Sequence, residues 1–370
     1  MKSDSLALGT LCDARERGVK WLLQHIGDDG SPVGAEEDNG YYSNKYYRLP
    51  WALLDAGERG SAAAVLSWIE EHALDDCGDL REGAARERHT YKFASYPLAI
   101  IGLAAWGLGR YDTGNAVMDL LKEEYQDRET GGALTLRPEV RASTRQDLFP
   151  TAQLGYSALM AGRQEVADRA YGWFVRLYEA QPALPHQLYT VWDEKGLVTK
   201  IAENDQFDFV TDFRAPRQAF YNPGIAAAFL GRYGAATRTA APFELARAFL
   251  SLSEHGTAAQ FDHAESRQIC KYGWGASVML ECAPNGQEFL PAVHRMAEWF
   301  VACQERDGTW TNSPFLAPHP TDGDRLEVTA EMVLHLSTVI TALRGAPRAY
   351  SGVLLGPGGL SRASAEPGGS

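Results

Sequence analysis

Tyr91-Lys-Phe-Ala-Ser-Tyr-Pro97 runs directly into Leu98-Ala-Ile-Ile-Gly-Leu-Ala-Ala105, and this junction decides the fold. Proline is favoured in the first turn of a helix, where its missing N–H and fixed φ cost nothing, so Pro97 marks a helix start. Residues 98–105 are small and apolar nearly all round, and a helix apolar on every side is a buried one. The same lead, polar and aromatic, runs into Pro or Gly and then an apolar stretch at Lys45-Tyr-Tyr-Arg-Leu-Pro50, Asp147-Leu-Phe-Pro150, Phe220-Tyr-Asn-Pro223 and Lys271-Tyr-Gly273. Leu326-Glu-Val-Thr-Ala330 keeps the polar-then-apolar order without the proline and is read as the sixth start. The repeat length is about fifty residues, with one longer interval.

Between these junctions lie amphipathic segments, from Ala14 to His25, Ala62 to His72, Thr113 to Tyr125, Glu165 to Tyr178, Phe243 to His255 and Phe289 to Gln304. They pair apolar residues at three- and four-residue spacing with charged faces, the pattern of outer helices. Six buried helices alternating with six amphipathic ones predict an all-α fold, an (α/α)6 toroid of six helical hairpins. Residues 1–344 are expected to form this one domain, with a rim insertion over 182–217 and a flexible Gly/Pro-rich tail over 345–370.

Composition narrows the function. The formal net charge of −13 opposes any polyanionic partner, so nucleic acid is excluded. The N-terminus has no apolar core of signal-peptide length, and no run approaches the ~18 apolar residues of a membrane span, so a cytoplasmic protein is expected. Five scattered cysteines, none in a C-x-x-C pair, argue against a disulfide framework or a thiolate zinc site. Gly107-Leu-Gly109 lacks a preceding strand, so no dinucleotide loop is read there, and no metal-ligand spacing occurs. The expectation is cofactor-free chemistry with no resident metal.

The segment Ala297-Glu-Trp-Phe-Val-Ala-Cys-Gln-Glu-Arg-Asp-Gly-Thr-Trp310 has the form of a QW motif, with Gln304, Gly308 and Trp310 after an aromatic-aliphatic helix. In this it resembles the terpenoid cyclase and protein prenyltransferase toroid superfamily. Trp21-Leu-Leu-Gln24 with Gly30-Ser-Pro32 looks like a degenerate copy lacking the Trp. The resemblance implies that the glutamine closes an outer helix and the tryptophan stacks beneath the next turn, which is a brace and not chemistry. The chain departs from the family in having no Asp-x-Asp-Asp acid. Asp262, His263 and Cys270 do not match the order of a prenyltransferase zinc site. Asp75-Asp-Cys-Gly-Asp79 fits the letters of a magnesium-binding Asp-Asp-x-x-Asp motif, and Asn204-Asp-Gln-Phe-Asp208 with Asp212 is a distorted second one; the favoured reading is two acidic loops.

In a helical toroid the polar residues just before the inner helices converge on one cavity mouth, where free N–H groups also point. The catalytic candidates are His89, Tyr91, Lys92, Asp147, Tyr221 and Lys271. His89 titrates nearest neutrality and is paired with Tyr91 for proton transfer; the others would polarise or position the substrate. The binding candidates are Lys45, Tyr46, Trp51, Phe149, Arg217, Asn222, Trp274 and Glu327, with Phe93, Trp106 and Phe220 as further walls and Gln153 and Glu331 as further polar groups. The leading expectation is a monomeric or homodimeric enzyme carrying out isomerisation, cyclisation or elimination on a hydrophobic small molecule, terpenoid, polyene or aromatic. The alternatives are a carbohydrate-active epimerase or lyase, a magnesium-dependent terpene synthase-like activity and a non-catalytic binding toroid.

Overall fold

The structure, a computed structural model, describes residues 8–33, 42–81, 94–135, 145–202, 206–256, 259–262, 269–311 and 319–346. The inner helices are α2 (Leu49–Ala56), α4 (Ser95–Leu108), α6 (Leu148–Met160), α8 (Asn222–Thr237), α10 (Cys270–Cys282) and α12 (Asp322–Gly345). Each packs on the next, and α12 returns to α2, so the ring closes. The outer helices are α1 (Leu8–Gln24), α3 (Arg59–His72), α5 (Tyr111–Leu120), α7 (Gln164–Glu179), α9 (Ala241–Glu254) and α11 (Leu290–Ala302). α3, α5, α7, α9 and α11 pack on the inner helix that precedes them, whereas α1 packs on α12. The chain therefore begins with the outer half of the hairpin it finishes last.

The inner helices are buried on nearly all sides because neighbours flank them in the ring and an outer helix backs them; every residue of α4 from Ser95 to Ala105 is buried. α12 is long and apolar enough to cross a membrane, and 72% of that stretch is buried inside the protein. The sixth helix start differs from the one expected at Leu326–Ala330. α12 begins at Asp322 with a capping box between Thr321 and Asp324, so Leu326–Ala330 lies within the helix. A local cap sets this boundary, which the repeat interval alone does not locate.

Four turns leaving outer helices share one construction. Gly30, Gly78, Gly131 and Gly308 each adopt a positive φ and press on the backbone of the next outer helix, at Ala64, Val117, Arg169 and Arg17. In each an aspartate Oδ1 accepts from backbone N–H groups ahead of it, as Asp75 does from Cys77 (2.9 Å) and Asp79 (3.0 Å). The Asp-Asp-x-x-Asp string is thus one copy of this turn. Gln304 Nε2 donates to Ala14 O (2.8 Å) and Gly308 O (2.9 Å), and Trp310 Nε1 donates to Phe300 O (2.9 Å). Gln126, not singled out in the sequence, makes the same brace to Gly131 O (2.9 Å) and Val166 O (3.0 Å).

The rim insertion is short hairpins. β2 (Gln187–Tyr189) pairs antiparallel with β5 (Val210–Asp212), and β3 (Val191–Asp193) pairs with β4 (Gly196–Leu197) and with β1 (Gln146–Asp147), immediately before α6. The second metal-like string is partly inside it. Asp212 accepts from Arg214 and Gln187, and residues 203–205 lie outside the described residues. Residues 347–370 of the expected tail also lie outside them.

Candidate active site

All six inner helices begin at one rim, and five of them contribute side chains there to a buried ionic cluster and its walls. Glu327, Glu331 and His335 are spaced four residues apart on one face of α12. Arg48, at the start of α2, donates to Glu327 and lies 3.7 Å from Glu331. Lys271, on α10, donates to Glu331, and His335 Nε2 lies 3.5 Å from the same carboxylate oxygen. Lys271 is fixed by a close approach of two helix backbones. A Cβ on Gly224 would strike Lys271 O, and a Cβ on Gly275 would strike Gly224 O, so both glycines are needed where α8 meets α10.

The cluster separates its members' protonation states. Burial pushes the Glu331 carboxyl up, but Arg48 and Lys271 outweigh it and hold the group well below the usual carboxylate range. Burial pulls Lys271 down, but Glu331 outweighs it, so the ammonium is held above its ordinary value. Burial pulls the His335 imidazole down to about 4, against the opposing pull of Glu331. Asp147, 2% exposed, caps α6 by accepting from Phe149 N (3.1 Å) and is positioned by the β1–β3 pairing; burial raises its carboxyl well above the usual value. Burial, followed by Asp147 nearby, likewise keeps the Tyr221 phenol neutral.

Aromatic rings enclose these groups. Tyr47 meets Tyr96 edge-on (centroids 5.9 Å), Tyr96 meets Phe149 (4.9 Å), and Phe149 meets Tyr221 (5.6 Å). Arg48 lies 4.5 Å above the Tyr47 ring and Lys271 lies 5.2 Å above Tyr221. Deeper along the axis Trp51, Tyr156 and Trp274 form a floor, with centroids 5.0 to 5.9 Å apart, and Trp274 stacks on His335 at 5.1 Å.

Of the residues expected from sequence, Asp147, Phe149, Tyr221, Lys271, Trp51, Trp274, Glu327 and Glu331 are brought together here. Lys45 lies at the start of α12, 3.5 Å from Thr321 Oγ1 and 4.0 Å from Asp324. Tyr46 turns toward the outer ring and packs on Trp68 (5.6 Å). Asn222 ties α8 to the insertion through Thr211 Oγ1 (3.1 Å), and Arg217 is exposed in a turn at φ 60°. Two expected walls lie elsewhere. Trp106 packs on Tyr111 because it sits at the far end of α4 on its outer side, and Phe220 packs on Phe213 of the insertion. His89, Tyr91, Lys92 and Phe93 lie outside the described residues. Sequence reasoning does not find His335 or Arg48: a histidine inside Val333-Leu334-His335-Leu336 reads as core, and Arg48 differs from its neighbours only in standing immediately before a helix.

Cys270 Sγ, a Glu331 oxygen and a His335 nitrogen lie within 4.8 Å of one another, the spacing of metal ligands. The grouping does not suit a divalent ion. Glu331 is already engaged by two cations, Lys271 and Arg48, that would repel one, and burial pushes the Cys270 thiol up to about 12, away from the thiolate a metal requires.

No family model matches the chain, and no curated protein matches it. Solved structures do. A D-mannose isomerase superposes with a TM-score of 0.63 at 11% identity, covering 92% of this chain and 99% of that one. The GH76A α-1,6-mannanase of Salegentibacter sp. gives 0.61 at 13%, with 90% and 99% covered. The type II terpene cyclase MstE of Scytonema, solved with its product merosterolic acid A, gives 0.58 at 12%, with 90% and 98% covered. The chain has the α/α-toroid fold. At such identities the likeness is one of fold, and the toroid's chemistry must be argued from its own residues.

Proposed function

We propose that this toroid is a cofactor-independent enzyme that moves protons on a small enolisable carbonyl compound, an isomerase or epimerase working at the rim where the inner helices begin. The observation that carries the reading is the convergence of a neutral imidazole, His335, and two fixed cations, Lys271 and Arg48, on one buried carboxylate, Glu331. Removing a proton next to a carbonyl needs an acceptor for the proton and positive charge for the developing oxyanion. His335 stays neutral at ordinary pH and takes the proton. Lys271 and Arg48 hold the oxyanion, while Glu331 keeps both cations in place. Asp147, protonated, and Tyr221, un-ionised, are the donors that return a proton. His89, Tyr91 and Lys92 are proposed as further groups of the same mouth. One chain supplies every group, so a monomer suffices.

Deuterium uptake at carbon tests the reading. Incubated in heavy water with a panel of aldoses, ketoses and 2-oxo acids, the enzyme should exchange the proton next to the carbonyl of at least one compound. Lys271→Met and His335→Gln should each slow that exchange about a hundredfold or more with unchanged circular dichroism. Exchange with no member of the panel, or wild-type rates in both variants, overturns it.

A second reading, cyclisation of an apolar polyene, is favoured by Asp147. Its neutral carboxyl lies among Phe149, Tyr221 and Tyr96, rings suited to a carbocation. Geranylgeranyl dihydroxybenzoate, the substrate bound in the MstE structure, is a direct probe. A cyclised product lost in Asp147→Asn, which keeps the helix cap, would favour this reading over the first.

A further inference from the structure

Phe149, Gln153 and Tyr156 are spaced four and three residues apart on one face of α6. Phe149 meets Tyr221 at the rim and Tyr156 meets Trp51 and Trp274 at the floor, so Gln153 stands between the two aromatic levels of the pocket wall. It is fully buried, and its Nε2 donates to Ser157 Oγ (3.1 Å) on its own helix. Its Oε1 has no hydrogen bond among the described residues. On α12, His335 is 2% exposed, stacks on the floor tryptophan Trp274, and neither ring nitrogen makes a hydrogen bond among the described residues. Buried polar atoms are nearly always partnered, and an orphaned one carries its full desolvation cost.

From these two orphaned side chains we infer that the pocket takes a hydroxylated ligand of sugar size and not a hydrocarbon. A ligand hydroxyl donates to Gln153 Oε1, another bonds the His335 ring, and the C–H faces of the ligand lie on Trp51, Tyr156 and Trp274. A hydrocarbon at this depth would leave both groups unpaired. If water satisfies them in the empty pocket, a hydrocarbon would displace that water without replacing its bonds. The inference rests on the rim cluster being the substrate site, as proposed above, and names the substrate class for it.

Titration calorimetry on the full chain tests it without relying on turnover. D-mannose, D-glucose and N-acetyl-D-glucosamine form the hydroxylated arm, and β-farnesene, followed by quenching of tryptophan fluorescence, forms the apolar arm. At least one sugar should bind the wild type more tightly than farnesene does. Gln153→Met, close in volume but without the acceptor, should weaken that sugar about tenfold and leave farnesene unchanged or tighter. Farnesene binding best, no sugar binding, or sugar affinity unaffected by Gln153→Met overturns the inference. The wild-type comparison stands by itself should that variant fail to fold. Sugar binding without deuterium exchange would refute the proton-transfer reading while sustaining the substrate class.

Discussion

Lys271 and Glu331 stand 60 positions apart in the chain, on neighbouring inner helices, and meet in a buried ion pair that also engages Arg48. Neither charge has another way to be compensated at that depth, so the arrangement stands or falls as a unit.

Glu331→Ala should therefore be costly. It leaves two buried cations without their shared carboxylate and is expected to destabilise the fold by about 3–5 kcal/mol in urea unfolding at pH 7. Lys271→Met combined with Glu331→Gln should cost less than the two single changes added together. Strict additivity would show that the two groups are not coupled.

The glutamine braces make a second, independent pair. Gln304→Leu leaves Ala14 O and Gly308 O without a donor, and Gln126→Leu does the same to Gly131 O and Val166 O. Each should cost about 1–3 kcal/mol. They sit on different hairpins with no shared partner, so the double variant should equal the sum to within about 0.5 kcal/mol. A negligible effect at Gln126 would remove it from the repeated brace.

Two glycines at positive φ should respond unequally to alanine. Gly57 (φ 95°) has open space around a would-be Cβ, so only the left-handed backbone is penalised, by about 1–2 kcal/mol. Gly131 (φ 84°) would also drive its Cβ into Arg169 O. Thermal melts should show Gly131→Ala losing clearly more stability than Gly57→Ala; equal losses would mean the turn does not press on α7.

Acid should weaken the fold in a window set by His335. Its pKa is about 4 when folded against 6.5 ordinarily, so between those values the unfolded chain binds a proton that the folded one refuses. Stability from this group is complete above pH 6.5 and is lost as pH falls to 4, by up to about 3 kcal/mol. Glu331, held below its ordinary value, adds to the acid loss, whereas Asp147, held above its own, works in the opposite direction. His335→Gln should flatten the stability profile between pH 4 and 6.5; an unchanged slope would show that the imidazole titrates normally.

Much of the scaffold is legible in the sequence because its signals are local. Pro50, Pro97, Pro150 and Pro223 each lie in the first turn of an inner helix, and the outer helices begin within a few residues of the amphipathic segments. The exception is α1, which starts six residues before Ala14. The sixth helix start is hidden because its signal, a Thr–Asp capping box, is weaker in sequence than a proline. The site is half legible. Polar residues beside a proline can be expected at the rim, but Glu331 and His335 lie one and two turns further into α12, where a glutamate reads as a solvated face and a histidine as core.

Length, charge and the repeated polar-to-apolar junctions settled by themselves that this chain builds paired helical rings, since periodicity and helix starts depend only on neighbours a few residues away. Which side chains share the hollow was decided by ring closure alone. Packing α12 against α2 brings Arg48 to Glu327 across 279 positions, and the contact of Gly224 with Gly275 fixes Lys271 beside Tyr221. Those distances come from how whole helices pack, and no short-range pattern in the chain encodes them.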